Sequence, residues 1–141
     1  MIDSATYPCC FAYASQQVQN LPAGSTIALD TFKTNVGGFT LTSEGRVVVP
    51  KAGKYIIAGG IGGLFNANTG WVRINRVGGG TITSVIDRSN TTSVYKSINV
   101  GGFTVNLPAG AELYLNSVDA VVHLGNGGLE NSNFLSLAMI P

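Results

Sequence analysis

Residues that could do chemistry are few in this chain. His123 is its only histidine, with Asp119 four residues and Ser117 six residues before it. Nucleophile, acid and base of these types make a hydrolytic triad when they converge. On a strand, positions four apart share a face but stand about 13 Å from one another, too far for a hydrogen-bonded pair. His123 therefore reads as an ordinary strand histidine, and no catalytic residue is assigned: the chain is not expected to be an enzyme. Cys9 and Cys10 are adjacent, and a vicinal pair closes too small a ring to staple a fold. They read as free thiols in a reducing compartment, with an intermolecular bridge or a metal contact as the alternatives. No Cys-x-x-Cys or His-x-His spacing backs a metal site. Asp87, Asn90, Asp119 and Asn126 offer oxygen ligands of the kind calcium takes, yet such residues usually serve turn geometry. The run Gly59-Gly60-Ile61-Gly62-Gly63 lacks the Gly-Lys-Ser/Thr ending and the following helix of a phosphate loop. It predicts a bend or a close backbone approach instead. Arg73, Arg76 and Arg88 flank one hairpin and read as a solvated face rather than an anion site. No cofactor and no metal is expected.

The elements that must position these residues follow from composition and pattern. A chain of 141 residues is one domain by length and can bury about two-thirds of its extended surface. Its charged share of 11% is less than half the roughly 25% usual for soluble domains. Nineteen glycines and a net charge of +1 leave no field to steer a charged partner. Disorder is excluded, because hydrophobicity is ordinary and net charge low. A nucleic-acid interface is not expected, since the eight basic residues are scattered and matched by seven acids. No apolar run approaches the 18 to 20 residues or so that cross a bilayer, so no membrane partner is expected. Met1-Ile2-Asp3-Ser4 has neither the basic nor the apolar region of a secretory signal, which predicts synthesis in a host cytoplasm.

Apolar residues alternate in short bursts separated by Gly, Pro and Asn. Ile27 and Leu29, Val72 and Ile74, Leu113 and Leu115, and Leu135, Leu137 and Met139 each mark one face of a strand. With runs at 46–49, 54–61, 81–86, 93–105 and 120–124, the pattern predicts an all-β antiparallel sandwich or jelly roll of about ten strands. Leu21-Pro22-Ala23-Gly24 and Leu107-Pro108-Ala109-Gly110 repeat one tetrapeptide, read as reversals with Gly at the fourth turn position. Val77-Gly78-Gly79-Gly80-Thr81 predicts a hairpin. Asn35-Val36-Gly37-Gly38-Phe39-Thr40 and Asn99-Val100-Gly101-Gly102-Phe103-Thr104 form a second duplication, read as two similar strand starts rather than a tandem array. Residues 1–14 read as an arm or first edge strand, and residues 15–141 as the jelly-roll domain. Within the arm, Tyr7, Phe11 and Tyr13 are candidates for docking on a partner.

The stretch from Phe39 to Tyr55 places Gly45 before an apolar strand that ends in Val49-Pro50, then opens the next strand with Gly53 and Tyr55. This resembles the signature of the tumour necrosis factor and complement first-component globular-head superfamily. Val105 to Leu115 and Asn133 to Leu137 resemble two later elements of the same family, so the likeness spans roughly residues 12 to 141. An aromatic is common in the family where Val47 stands, and its late Asp is replaced by Ala111-Glu112; no metal or receptor site is carried over. The resemblance implies a TNF-like jelly roll of ten strands and a compact homotrimer packed through aromatic and aliphatic residues of one sheet.

Low charge with a positive mean hydropathy of +0.28 also points to surface that faces protein rather than water. Phe103, Tyr114 and Phe134 project opposite or beside the aliphatic phase of their strands and are the candidate trimer-interface residues; the alternative is that they complete the core. Small, charge-poor jelly rolls rich in Gly, Asn and Thr are similar to structural proteins of tailed-phage virions. The expectation is a virion structural protein, a capsid decoration or cement protein that binds the major capsid protein or another virion protein at the capsid surface. The alternative is the receptor- or glycan-binding head of a fibre, with Trp71 beside Arg73 and Asn75 as a sugar platform.

Overall fold

A computed structural model describes residues 7–16, 18–65, 70–87, 96–124 and 133–141. Thirteen strands run through them: β1 (Cys9–Tyr13), β2 (Val18–Leu21), β3 (Thr26–Ile27), β4 (Thr31–Val36), β5 (Thr40–Leu41), β6 (Val47–Val48), β7 (Gly53–Phe65), β8 (Gly70–Arg76), β9 (Gly80–Asp87), β10 (Lys96–Leu107), β11 (Glu112–Ser117), β12 (Val121–Leu124) and β13 (Phe134–Met139). One sheet has the order β2-β12-β7-β13-β1-β4, with β10 on the remaining side of β7; the other runs β5-β6-β11-β8-β9, with β3 beside β11. Every pairing is antiparallel. The expected all-β jelly-roll sandwich is therefore what forms. Its strand number exceeds ten because β3, β5 and β6 are two-residue pieces, and because β2 and β4 lie at a sheet edge where one-sided burial weakens the alternation.

Period two decides what is inside. In β11, Leu113, Leu115 and Ser117 are buried while Glu112, Tyr114 and Asn116 face outward. The same rule brings Ile57, Ile61, Ile74, Leu135 and Leu137 into one fully buried cluster between the sheets. Tyr55 joins it edge-on to Phe39, with ring centroids 6.3 Å apart, and donates its hydroxyl to the Lys51 carbonyl at 2.6 Å. Strand β13 reaches along β7 only to Gly60, and β12 takes over at Gly63. In the gap, the Gly62 N–H donates to the buried Asn133 side chain at 3.0 Å, so no backbone donor is stranded there.

Four local expectations change. Strand β1 is neither an arm nor an edge, because it pairs with β13 on one side and β4 on the other; residues 1–6 lie outside the described residues. Both proline tetrapeptides turn one residue later than expected. Ser25 N–H donates to Pro22 and Ala111 N–H to Pro108, each at 3.2 Å, which puts Gly24 and Gly110, at φ +82 and +84, in the third turn position where a positive φ is required. The duplicated Gly-Gly-Phe elements do different things. Gly37 and Gly38, both at φ +95, carry the chain from β4 in one sheet to β5 in the other, and the Asn35 side chain clamps both backbone groups of Phe39. Gly101 and Gly102 instead form a bulge inside β10 between Val100 and Phe103. The hairpin at Val77–Thr81 forms as expected, with Gly78 and Gly80 at positive φ.

Gly45 combines a positive φ with an occupied surrounding. At φ +82, a Cβ there would stand 2.5 Å from the Ala28 Cα and 2.6 Å from the Leu29 nitrogen, whereas Gly24 at the same φ has open space. Gly24→Ala should cost roughly 1–2 kcal/mol from backbone strain alone. Gly45→Ala should cost clearly more, because main chain must move. Denaturant unfolding of the two variants checks the order.

Candidate functional site

The outward face of the seven-stranded sheet carries a group of half-buried aromatic side chains. In β1, Cys10 and Ala12 point into the core, so Cys9, Phe11 and Tyr13 point out. The register sets Tyr13 beside Phe134, Phe11 beside Ser136 and Cys9 beside Ala138. Phe11 and Phe134 stack with centroids 5.1 Å apart and planes 6° from parallel, a contact of about 0.5–1.5 kcal/mol beyond its area. Strand β7 continues the face with Ile56, Ala58, Gly60 and Gly62, and β10 adds Ser97, Asn99 and Thr104. A Cβ on Gly60 would meet the Asn99 side chain and the Ile98 carbonyl, so the glycine run serves close packing, as expected. From the Ile56 row to the Gly62 row, the outward positions of these four strands carry no charge. Ile56 is 41% exposed at the centre of a sheet.

The sequence candidates separate on this frame. Phe134 lies on this face, and Phe11 and Tyr13, expected to dock a partner, lie beside it. Tyr7 is half-buried just before β1. Phe103 faces the other way: the β10 bulge shifts the alternation by one, sets Phe103 opposite the buried Ile57 and packs it against the core. Tyr114 faces outward on the six-stranded sheet, with the Arg46 guanidinium 5.7 Å from its ring centroid and Arg46 paired to Glu112 at 3.7 Å. The three residues thus do not form one patch. Sequence reading missed Ile56 and Asn99. The signal for Ile56 was available, since Tyr55 and Ile57 fix the inward phase of β7.

The outward face of the six-stranded sheet is polar. Asn75, almost fully buried, donates to Asn116 and accepts from Thr81, both at 2.9 Å. Arg73 stacks on Trp71 at 4.5 Å, and the indole N–H is buried without a hydrogen-bond partner.

The Ser117 hydroxyl donates to the Asp119 carbonyl at 2.7 Å. His123 pairs through its backbone with Gln19 and Leu64; its side chain, with Arg88, Asn90, Asn126 and the Asp87 side chain, lies outside the described residues. Among the described residues no three His, Cys, Asp or Glu side chains are grouped to hold a metal. The adjacent thiols point to opposite sides of β1 and are free.

No protein-family model and no curated protein sequence matches the chain. Among solved structures it is similar to the Eiger TNF of S. frugiperda, 18% identical with a TM-score of 0.77 over 96% of this chain and 93% of that one. It is also similar to murine APRIL, 14% identical with a TM-score of 0.74 over 95% and 99% of the two chains. The fold is a TNF-like jelly roll. At these identities the likeness concerns the path of the chain, which is the architecture implied by Gly45, Val49-Pro50 and Tyr55.

Desolvation dominates the environment of the Cys10 thiol and pushes it up to about 12 from 9.0, against a lowering backbone contact from Leu137 and a small further rise from Cys9. At pH 8, iodoacetamide should leave Cys10 unmodified in the folded protein and reach it only on unfolding. The folded state holds this proton more tightly than the unfolded chain. Its stabilising contribution is therefore complete below pH 9 and declines as pH rises from about 9 towards 12. Peptide mass spectrometry and denaturant midpoints across that range check both outcomes.

Proposed function

We propose that this chain is a non-enzymatic structural protein that assembles with copies of itself through the outward face of the seven-stranded sheet and then binds another protein surface. The carrying observation is the charge-free patch of Phe11, Tyr13, Phe134 and the exposed Ile56 in mid-sheet. Such a patch matches the charge-depleted, aromatic-rich core of homo-oligomer interfaces. The TNF-like fold supports a homotrimer as the assembly. In our reading the assembly decorates a virion, seated on the major capsid protein at the capsid surface after synthesis in a host cytoplasm. An overall charged share of only 11% with nineteen glycines supports that setting, and many subunits would act together through avidity.

A second reading is an attachment head that binds a receptor or glycan. Trp71 and Arg73, stacked on the outward face of the other sheet beside Asn75 and Asn116, favour it as an amphipathic platform. Binding of the purified chain to expanded empty shells, with no response on a glycan array, supports decoration; the reverse result supports the attachment head.

Phe134→Lys places a charge in the proposed contact and should convert trimer to monomer, whereas Tyr114→Ala should leave the assembly unchanged. Sedimentation velocity decides. A wild-type chain that is monomeric at high concentration, or a Phe134→Lys variant that still sediments as the trimer, would overturn the assignment.

A further inference from the structure

A groove of about 560 Å³ opens where the two sheets part at one edge of the sandwich. Three strand edges border it: among the described residues β2 pairs only with β12, β3 only with β11 and β5 only with β6. Val18, Leu21 and Leu41 supply aliphatic walls, and Ile27 and Leu29, 0% and 2% exposed, supply the base. Val18 itself is 38% exposed, an aliphatic side chain left open to solvent. Among the described residues the lining holds one ionisable group, Asp30; the rest of its polar residues are neutral.

That carboxylate is fixed in place. Asp30 Oδ1 accepts the Ser15 N–H at 3.0 Å and the Thr31 hydroxyl at 2.7 Å, and Oδ2 accepts the Ser15 hydroxyl at 2.9 Å. Desolvation, the largest single influence, raises its pKa, and these hydrogen bonds together outweigh it and hold the group below the ordinary carboxylate value. Oδ1 already accepts two hydrogen bonds, while Oδ2 accepts one and keeps a lone-pair site for a further donor. An oriented anion beside an aliphatic cleft discriminates by charge and by chain length together. The volume falls in the range of small-molecule sites, roughly 300–1,000 Å³.

We infer that the groove binds a small primary alkylammonium amphiphile, its ammonium on the Asp30 carboxylate and its hydrocarbon chain along Val18, Leu21 and Leu41. The site lies in the cleft between the sheets and rests on neither self-assembly nor a virion partner. An ammonium supplies a charged donor for the remaining site on Oδ2, and its methylenes cover the exposed aliphatic wall. Each methylene buried should tighten binding about four-fold. A fatty acid of the same length presents the wrong charge, and a free alcohol only a neutral donor.

The probe is n-octylamine at pH 7, below its micellar concentration, titrated into the full chain by calorimetry and by amide-resolved NMR. The expected result is saturable binding that shifts the amides of Val18, Leu29, Leu41 and Ser43. Octanoate should not bind, and n-hexylamine should bind roughly sixteen-fold more weakly. Asp30→Asn keeps the hydrogen-bonding shape and should lose at least about ten-fold in octylamine affinity. Leu41→Trp should block the groove. Should that variant fail to fold, Val18→Trp at the exposed wall makes the same test. Equal binding of octanoate, an unchanged affinity in Asp30→Asn, non-saturable uptake, or shifts confined to the Phe11–Phe134 face would each overturn the proposal.

Discussion

The thirteen-residue strand β7 is the constraint on which the rest depends. Its backbone serves β10 along one side and β13 then β12 along the other, so most of the seven-stranded sheet is hung from it. Such a strand must satisfy two faces with one residue alternation. Inward it carries Tyr55, Ile57 and Ile61, all fully buried. Outward it carries Ile56, Ala58, Gly60 and Gly62, side chains that shrink along the strand and let Asn99 and Phe134 lie close to the backbone. The same segment thereby anchors the core and sets the shape of the proposed assembly face.

The core was readable because burial imposes a period that a sequence displays. Leu113 with Leu115, Val72 with Ile74 and Leu135 with Leu137 each occupy the inward phase that their spacing implied. Gly45, Val49-Pro50 and Tyr55 pointed to the TNF-like architecture because they meet local backbone demands: a positive φ at Gly45, and a hydroxyl at Tyr55 that closes back on Lys51. Strand β4 is hidden from periodicity because its burial does not alternate, and β1 reads as an edge because small residues and cysteines carry little β signal.

The face was readable only in part, for a different reason. Phe134 follows from the alternation of its own strand. The neighbourhood of Phe11 and Tyr13 depends on β1 pairing with β13 across most of the chain length, which no local pattern encodes. Phe103 was misassigned because a bulge inverts phase without changing composition: two glycines look alike whether they turn the chain at Gly37-Gly38 or swell a strand at Gly101-Gly102. Context decides between them, through the Asn35 clamp on Phe39 in the first case.

That bulge absorbs one extra residue in β10. Gly101 and Gly102 together stand opposite Ala58, so removal of a single codon at either would leave a regular ladder with Phe103 still opposite Ile57, and Phe103, Val105 and Leu107 would keep their inward phase. The three-residue reversal at Val77–Gly79 likewise lies where no ladder pair fixes its length. Drift in gene length should therefore collect at that hairpin tip and at the paired glycines, and be purged from the regular stretches on either side of them, where one residue more or less reverses the facing of its neighbours.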